Sequence, residues 1–141
     1  VKAIGGGNFL ILATDQDSAL AASERAIVAM QKVAGVIMPF PGGVVRSGSK
    51  VGSKYKTLPA STNHLFCPTL KGAVRRELSA DVGAVLEIVI DGLDAESISE
   101  ATRVGVLAAC RGRKHGVLRI SAGNYGGNLG PFHFKLRTIL K

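Results

Sequence analysis

The order of two apolar strands and two amphipathic helices constrains the fold of this chain most. Short apolar runs at Phe9–Ala13 and Val85–Ile90 are typical of buried strands. Each run is followed by a segment of helical periodicity, at about residues 18–34 and 95–111, in which apolar side chains recur every three or four positions. Two strand–helix units therefore form the framework of the fold.

Both predicted helices have recognisable ends. Aspartate and serine favour the N-cap because their side-chain oxygens accept hydrogen bonds from free backbone N–H groups of the first turn. Asp94 can cap the second helix, and Asp15, Asp17 or Ser18 can cap the first. Gly105 lies in the apolar stripe of the second helix, which predicts that a neighbouring element approaches it closely.

Three further strands complete the predicted order of elements. They are Val36–Phe40, Val117–Ser121 and Phe132–Leu140, while residues 42–80 show little periodicity and are predicted to be one long irregular loop. The order β-α-β, loop, β-α-β, β is typical of an α+β fold with a ferredoxin-like split βαβ sandwich. We therefore expect a mostly antiparallel sheet with two helices on one face and a long inserted loop, in one domain of residues 1–141.

Composition limits the class of protein. A chain of 141 residues fits one domain, and 46% apolar residues suffice for a core. No segment approaches the roughly 20 apolar residues of a membrane span, and the first residues lack the layout of a signal peptide. Cys67 and Cys110 form no CxxC pair, which favours a reducing, cytoplasmic setting over a disulfide scaffold.

The formal net charge of +8 leaves the anionic partner open. The positive charge can serve solubility, the binding of an anionic ligand or the binding of nucleic acid. Lysines and small hydroxyl residues alternate in SGSKVGSK, a mixture that suits a carboxylate or phosphate, although a solvated loop has the same composition. Nucleic acid is disfavoured, because RNA-recognition modules of this fold stack bases on strand aromatics and VLEIVI and VLRIS have none. The basic side chains of the loop are Arg46, Lys50, Lys54, Lys56 and Lys71.

Two glycine-rich segments share the pattern glycine, asparagine, aromatic: GGNF at residues 6–9 and AGNYG at residues 122–126. Either the two segments meet in the fold, or the similarity is due to chance. Neither segment matches the dinucleotide-binding pattern GxGxxG, since Leu10 replaces the third glycine of the first and a strand follows it. Most of these glycines are therefore interpreted as turn residues.

His64, Cys67 and Glu87 are the side chains with catalytic or metal-binding potential. His64 and Cys67 are three residues apart, but a zinc site needs at least three protein ligands, so no metal site is predicted. Cys67 as a nucleophile with His64 as base is a minor alternative to a cysteine that serves as a small hydrophobic residue. Glu87 shares one face of its strand with Val85 and Val89, where the residues alone favour a solvent-facing carboxylate over one placed in a cleft.

Several strings occur in a fixed order: GGGNF, PFPGG, SKVGSK, LPASTN, FCPT, EIVIDGL, RVG and SAGNYGG. Together, from Gly5 to about Leu140, they resemble the C-terminal, distal lobe of formylmethanofuran:tetrahydromethanopterin formyltransferases. The segment between Leu70 and Gly83 departs from the family pattern, and no function is assigned to it. The net charge of +8 differs from that of the strongly acidic members from salt-rich methanogens and favours another host, such as a methylotrophic bacterium.

The resemblance implies that this chain is half of a two-lobed enzyme. The expected partners are an N-terminal lobe, further copies in a homo-oligomer, or the subunits of a formyltransferase/hydrolase complex. The active site of such an enzyme is built by more than one lobe or subunit, so the chain alone is expected to be an incomplete catalyst. No metal and no tightly bound cofactor are implied. Methanofuran and tetrahydromethanopterin are coenzyme substrates with anionic tails.

The implied reaction is formyl transfer between the methanofuran amine and a ring nitrogen of tetrahydromethanopterin. Through its EIVIDGL setting, the resemblance assigns Glu87 as the catalytic carboxyl. A non-catalytic assembly lobe of a formyltransferase/hydrolase complex is the alternative, and a basic RNA-binding domain is a third, weaker one. The implied substrate-binding residues are Arg46, Ser49, Lys50, Ser53, Lys54, Ser61, Thr62, Asn63 and Asn124.

Overall fold

The computed structural model describes residues 2–70, 72, 78–111, 115–123 and 131–141. Seven strands and three helices lie within these ranges. The strands are β1 (Ile4–Ala13), β2 (Val36–Ile37), β3 (Val45–Arg46), β4 (Ser49–Val51), β5 (Ala60–Thr62), β6 (Ala84–Gly92) and β7 (Val117–Ser121). The helices are α1 (Gln16–Met30), α2 (Ala95–Cys110) and α3 (Leu136–Ile139).

Antiparallel pairing organises all of these strands. The main sheet has the order β2-β6-β1-β7, and β3 pairs with β6 farther along the same strand. The long strands β1 and β6 lie side by side at its centre and pair over most of their length. β4 and β5 form a separate two-stranded hairpin. The prediction of a mostly antiparallel sheet is therefore confirmed.

Both long helices pack on one face of the main sheet. Alternation along β1 and β6 directs Phe9, Ile11, Ile88 and Ile90 to that face, where they meet the apolar stripes of α1 and α2 in the main core. On the opposite face, Leu10, Leu12 and Val85 form a smaller cluster with Leu78 and Val82. The predicted arrangement of two helices on one face is confirmed, and the opposite face is partly covered by loop residues.

The predicted caps are confirmed, and one helix end is corrected. The carboxylate of Asp15 accepts the N–H of Ser18 at 2.8 Å, and that of Asp94 accepts the N–H of Ser97 at 2.7 Å. α1 ends at Met30, four residues before its predicted end. The N–H of Val33 donates to the carbonyl of Met30 at 3.0 Å, so the chain tightens into a turn after the helix.

The long loop and its leading strand contain more order than the sequence predicts. Residues 42–80 were expected to be irregular, yet they include β3, β4, β5 and short 3₁₀ turns. Strands of two or three residues are too short for alternation to reveal. The strand predicted at Val36–Phe40 stops at Ile37, since Pro39 cannot donate to a ladder.

The strand predicted at Phe132–Leu140 is wrong. Residues 131–135 form neither helix nor strand, and α3 follows at Leu136–Ile139. Leu136 and Leu140 are four residues apart, a spacing that also suits one face of a helix. Phe134 and Leu136 pack against the main core, and this tertiary contact outweighs the local alternation.

Close packing of α1 and α2 at Gly105 generates a stability prediction. A Cβ at Gly105 would lie 2.5 Å from Met30 Sδ and 3.2 Å from Phe9 Cζ. Overpacking in Gly105→Ala should cost about 1–3 kcal/mol of unfolding free energy, partly offset by about 1 kcal/mol of helix propensity. In a Met30→Ala background the same change should be stabilising, because the new methyl group fills vacated space.

Urea denaturation of the four proteins in this cycle measures the coupling between the two sites. The individual cost of Met30→Ala cancels in the cycle. A coupling energy close to zero would contradict the close approach of the helices.

Candidate functional site

A cleft of about 480 Å³ lies on the sheet face opposite the helices. Its floor is formed by β1 and β6, and its wall by the segment that runs through β3 and β4. Apolar side chains such as Val45, Val51 and Val89 make up much of the lining. The polar and charged side chains in the lining are Asn8, Arg46, Ser49, Lys50 and Glu87.

The sheet register places Glu87 in this cleft. Glu87 pairs with Leu10 of β1 on one side and with Val45 of β3 on the other, so it lies within the sheet rather than at an edge. Alternation sends its side chain away from the helix face that Ile88 occupies. The residue is only 6% exposed. The interpretation of Glu87 as a solvent-facing carboxylate is therefore wrong, because the segment around β3 covers that face of the strand.

Burial and hydrogen bonding shift the pKa of the Glu87 carboxyl in opposite directions. The side-chain amide of Asn8 donates from Nδ2 to Glu87 Oε1 at 2.7 Å. Burial raises the pKa of Glu87, because a charged carboxylate loses hydration, and this is the largest effect. Hydrogen bonds from Asn8 and from the Gly48 N–H lower the pKa, but by less. The pKa of Glu87 is therefore raised from its ordinary value.

Three of the predicted substrate-binding residues line the cleft together with Glu87. Arg46 comes from β3, and Ser49 and Lys50 come from β4. Arg46 and Ser49 are exposed, and Lys50 is half-buried. The two cations and the hydroxyl thus form a basic wall of the same cleft, with the chemistry that carboxylate or phosphate binding requires.

Ser53 and Lys54 lie in the turn between β4 and β5, outside the lining of the cleft. The Ser53 hydroxyl accepts the N–H of Tyr55 at 3.1 Å. Lys54 Nζ lies 5.0 Å from the centre of the Tyr55 ring, within cation–π range. The structure therefore separates these two residues from Arg46 and Lys50, at the tip of the same hairpin.

Ser61 and Thr62 belong to the second strand of this hairpin. The Ser61 hydroxyl donates to the carbonyl of Gly52 at 2.6 Å, which closes the hairpin across its turn. Thr62 is the pairing partner of Ser49. Both residues lie next to the cleft wall, and their described contacts are within the hairpin.

Asn63 is a buried residue that holds the turn preceding β4. Its Nδ2 donates to Ser47 Oγ at 3.0 Å, and its backbone N–H donates to the carbonyl of Gly48 at 3.0 Å. Since the Gly48 N–H in turn donates to Glu87, Asn63 supports the turn that contacts the carboxyl. Asn124, the remaining predicted residue, lies outside the described residues.

Asn8 is the polar side chain at this site that the sequence reasoning missed. It is 9% exposed, contacts Glu87 through Nδ2, and accepts the N–H of Gly123 through Oδ1 at 3.0 Å. Gly123 of the second glycine-rich segment therefore contacts Asn8 of the first, as the shared glycine-asparagine-aromatic pattern allowed. That pattern was the available signal for Asn8, but the sheet register was needed to place it beside Glu87.

The alternative catalytic and metal sites gain no support from the described residues. The Cys67 sulfur lies 3.1 Å from the Thr69 hydroxyl, in a separate cavity of about 220 Å³. Cys67 and Cys110 are not joined in a disulfide. Among the described residues, no three His, Cys, Asp or Glu side chains are grouped so that they could hold a metal ion. None of the described helices is long and apolar enough to cross a membrane.

Comparison with known proteins gives one family match and close relatives. A family model described as "FTR, proximal lobe" matches residues 1–139. The formylmethanofuran–tetrahydromethanopterin formyltransferase of Methylococcus capsulatus is 67% identical over 141 residues, which cover 99% of this chain and 47% of that protein. The chain therefore spans about half the length of the curated relatives that it matches.

Two solved structures share the fold. One is a formyltransferase/hydrolase complex from Methylorubrum extorquens with methylofuran; a chain of it is 48% identical, with a TM-score of 0.92, and 99% of this chain covers 46% of that one. The other is the formylmethanofuran:tetrahydromethanopterin formyltransferase from Methanosarcina barkeri, with 50% identity, a TM-score of 0.91, and coverage of 99% and 47%.

The match to a proximal lobe corrects the expectation of a distal lobe. Sequence strings such as EIVIDGL report local structure and the residues of one lobe. They contain no information about how two similar lobes are arranged around each other. The family of the chain could therefore be predicted from its motifs, whereas the place of the lobe in the enzyme could not.

The raised pKa of Glu87 predicts a pH-dependent stability. The folded state binds the Glu87 proton more tightly than the unfolded state, so this stabilising contribution is complete below the ordinary pKa of 4.5 and is lost as pH rises through the folded value. Glu87→Gln does not titrate there. The Tm of the variant minus that of the wild type should therefore increase from acidic to neutral pH in thermal unfolding.

Glu100→Gln provides the matched control for this measurement. Glu100 is exposed, and its pKa is lowered by the hydrogen bond from Arg103. A lowered pKa stabilises the fold above the unfolded value, so the Tm difference of this variant should change in the opposite direction with pH. A pH-independent Tm difference for Glu87→Gln would contradict the burial of an ionisable Glu87.

Proposed function

Because the chain belongs to the FTR proximal-lobe family, we propose that it is half of a formyltransferase acting between methanofuran, or an analogue, and tetrahydromethanopterin. The observation that carries this proposal is the buried carboxyl of Glu87 in a cleft with a basic wall. The relatives bear the name of this activity, but they are about twice as long as the chain. The rest of the enzyme is therefore proposed to complete the site.

The proposed reaction needs a group that can both give and take a proton. The amine nitrogen of the acceptor attacks the formyl carbon, a C–N bond forms, and negative charge develops on the formyl oxygen. The bond from carbon to the donor nitrogen then breaks, and the proton of the attacking nitrogen ends on the leaving nitrogen. Glu87 in its protonated form can donate a hydrogen bond to the developing oxyanion. It can then help to move the proton of the attacking nitrogen to the leaving nitrogen.

The environment of Glu87 supports this role. A carboxyl in water is almost wholly ionised at neutral pH and is a poor donor. Burial raises the pKa of Glu87 and so increases the neutral fraction, as it does for other catalytic acids. The hydrogen bonds from Asn8 and Gly48 oppose the rise, which keeps the ionised form accessible. A carboxyl with this balance can act in both directions of a reversible transfer.

The basic wall supports the binding of anionic coenzyme tails. Arg46, Ser49 and Lys50 line the same cleft as Glu87, so a tail held there leaves the reacting end of the substrate beside the carboxyl. Lys54 and Ser53 lie at the tip of the hairpin and are proposed to contact the more distant part of a tail. The remaining proposed substrate-binding residues are Ser61, Thr62, Asn63 and Asn124.

We propose that residues 1–141 form one ferredoxin-like lobe. In the strand order β7-β1-β6-β2, the two central strands are those that precede the helices, as in a split βαβ fold. Large apolar side chains such as Ile37, Leu93 and Val28 are more than half exposed. This exposure supports association with the other lobe, further copies or complex subunits. The absence of a disulfide between Cys67 and Cys110 supports a cytoplasmic setting.

Glu87→Gln in the full-length enzyme tests the catalytic role directly. The amide keeps the shape of the side chain and one donor but cannot exchange a proton. We expect kcat to fall about 10²-fold or more, the scale of general acid–base catalysis, with a smaller change in KM. Steady-state formyl transfer with both coenzymes measures this. A kcat close to that of the wild type, in a correctly folded assembly, would instead favour the non-catalytic assembly lobe.

Lys50→Ala in the same enzyme tests the anionic tail. A tail contact forms in the ground state and in the transition state alike, so KM should rise by roughly 10-fold while kcat changes little. Lys54→Ala should act in the same direction if the hairpin tip reaches the tail. Lys32→Ala removes an exposed lysine from the turn that follows α1 and serves as the control. Unchanged KM values for both coenzymes in Lys50→Ala would remove this lysine from the site.

A further inference from the structure

Two consecutive hydrogen bonds connect the backbone just after β7 to the Glu87 carboxyl in the cleft. The N–H of Gly123 donates to Asn8 Oδ1 at 3.0 Å, and Asn8 Nδ2 donates to Glu87 Oε1 at 2.7 Å. Asn8 is 9% exposed and Glu87 is 6% exposed, so water has little access to either side chain. The three groups come from β1, β6 and the residues after β7, and their positions relative to one another are set by the sheet.

The orientation of the Asn8 amide is determined by its partners. A backbone N–H can only donate, so the atom that faces Gly123 must be the amide oxygen. The NH₂ group must then face Glu87, and an NH₂ group can only donate. Oε1 of Glu87 is therefore an acceptor whether the carboxyl is charged or neutral. In the neutral carboxyl this contact favours the proton on the other oxygen, Oε2, because a carbonyl oxygen accepts a hydrogen bond better than a hydroxyl oxygen does.

We propose that Asn8 is a positioning residue for the catalytic carboxyl: it holds Oε1 of Glu87 as an acceptor and thereby favours the exchangeable proton on Oε2. This inference rests on the proposed catalytic role of Glu87. Asn8 itself donates no proton to the reaction. It disfavours an exchange of the two carboxyl oxygens, so that protonation occurs mainly at one atom.

The charges around the carboxyl do not supply this orientation. β1 and β5 carry no titratable side chain, and β3 and β4 contribute Arg46 and Lys50 to the cleft. The nearest carboxylate along β6 is Asp91, which accepts the N–H of Gly6 at 2.9 Å. Neither cation is a described hydrogen-bond partner of the Glu87 carboxyl. Asn8 is the described side-chain donor to that carboxyl, and the Gly48 N–H is a second, backbone donor that the Asn8 variants leave in place.

Asn8→Asp, with Asn8→Ala as a second variant, tests the proposal in the full-length enzyme. The aspartate can still accept the Gly123 N–H, but its other oxygen then faces Oε1, and two carboxylates in contact cannot both ionise. The pair should hold a shared proton to higher pH than Glu87 does in the wild type. Asn8→Ala removes a donor to the charged form and should shift the titration in the same direction by less.

Two measurements on each variant give the result. The protonated-carboxyl stretch in infrared difference spectra, assigned with Glu87→Gln, follows the titration. The pH profile of formyl transfer shows how that titration affects the rate. We expect the band to persist to higher pH in both variants, and kcat to fall on the order of 10- to 100-fold at the wild-type optimum with little change in KM, the scale of one hydrogen bond to a charged group.

Thr102→Val is the matched control for a lost buried hydrogen bond. The Thr102 hydroxyl is 1% exposed and donates to the carbonyl of Ile98 at 2.8 Å in the helix layer. The variant should lower Tm and leave both the titration and the pH profile unchanged. If Asn8→Asp does not fold, Asn8→Ala gives the same readout.

The two proposals fail in different ways. Folded Asn8 variants with the wild-type titration and the wild-type pH profile would overturn the positioning role. A shifted titration in the Asn8 variants, together with near-normal kcat in Glu87→Gln, would uphold the hydrogen-bonded orientation of the carboxyl and reject its catalytic role.

Discussion

The antiparallel ladder between β1 and β6 is the constraint on which the rest of the structure depends. Its register sets Leu10 opposite Glu87 and Phe9 opposite Ile88. Because successive side chains point to opposite faces, one register assigns Phe9 and Ile88 to the helix-covered core and Glu87 to the cleft. A slip of one residue would bury the carboxylate under α1 and α2 and expose the core. The apolar core therefore selects the register, and the register positions the catalytic candidate.

At one end of this ladder, Gly6 allows a shift in the strand pairing beside the cleft and Gly7 allows close packing against α2. The pairing shifts between Ile4 and Gly7, where Gly6 has a φ of +89° and donates its N–H to the Asp91 carboxylate. Bulges of this kind redirect strands next to functional sites, and here Gly6 lines the cleft just before Asn8. On the other face, a Cβ at Gly7 would lie 2.7 Å from Ile98, so the glycine lets α2 pack closely on the sheet. The same few residues thus shape both layers.

Features that show as periodicity or as helix caps could be predicted from the sequence. Features that depend on how the strands pair could not. FLILA and VLEIVI, with the aspartate caps that follow them, were sufficient for the central strands, both long helices and their shared face. The missed strands β3, β4 and β5 have too few residues for a period, and the segment at 132–140 has a spacing that suits strand and helix alike. Motif resemblance made Glu87 the catalytic candidate, a role that stays a proposal, whereas the residues alone favoured a solvent-facing environment that its burial contradicts. Asn8 could be recognised only once β1 was aligned against β6.

The chemistry proposed for the cleft follows from two opposed effects on one carboxyl. Full burial without partners would keep Glu87 neutral and make it a poor base, whereas full hydration would keep it ionised and make it a poor acid. The structure combines burial with donors from Asn8 and Gly48, and the raised pKa shows that burial dominates. Arg46 and Lys50 line the same cleft, and their positive charges suit the carboxylate or phosphate of an anionic substrate tail. The cleft therefore combines a carboxyl that can be neutral or charged with a wall that suits anions, and the proposed formyl transfer requires both.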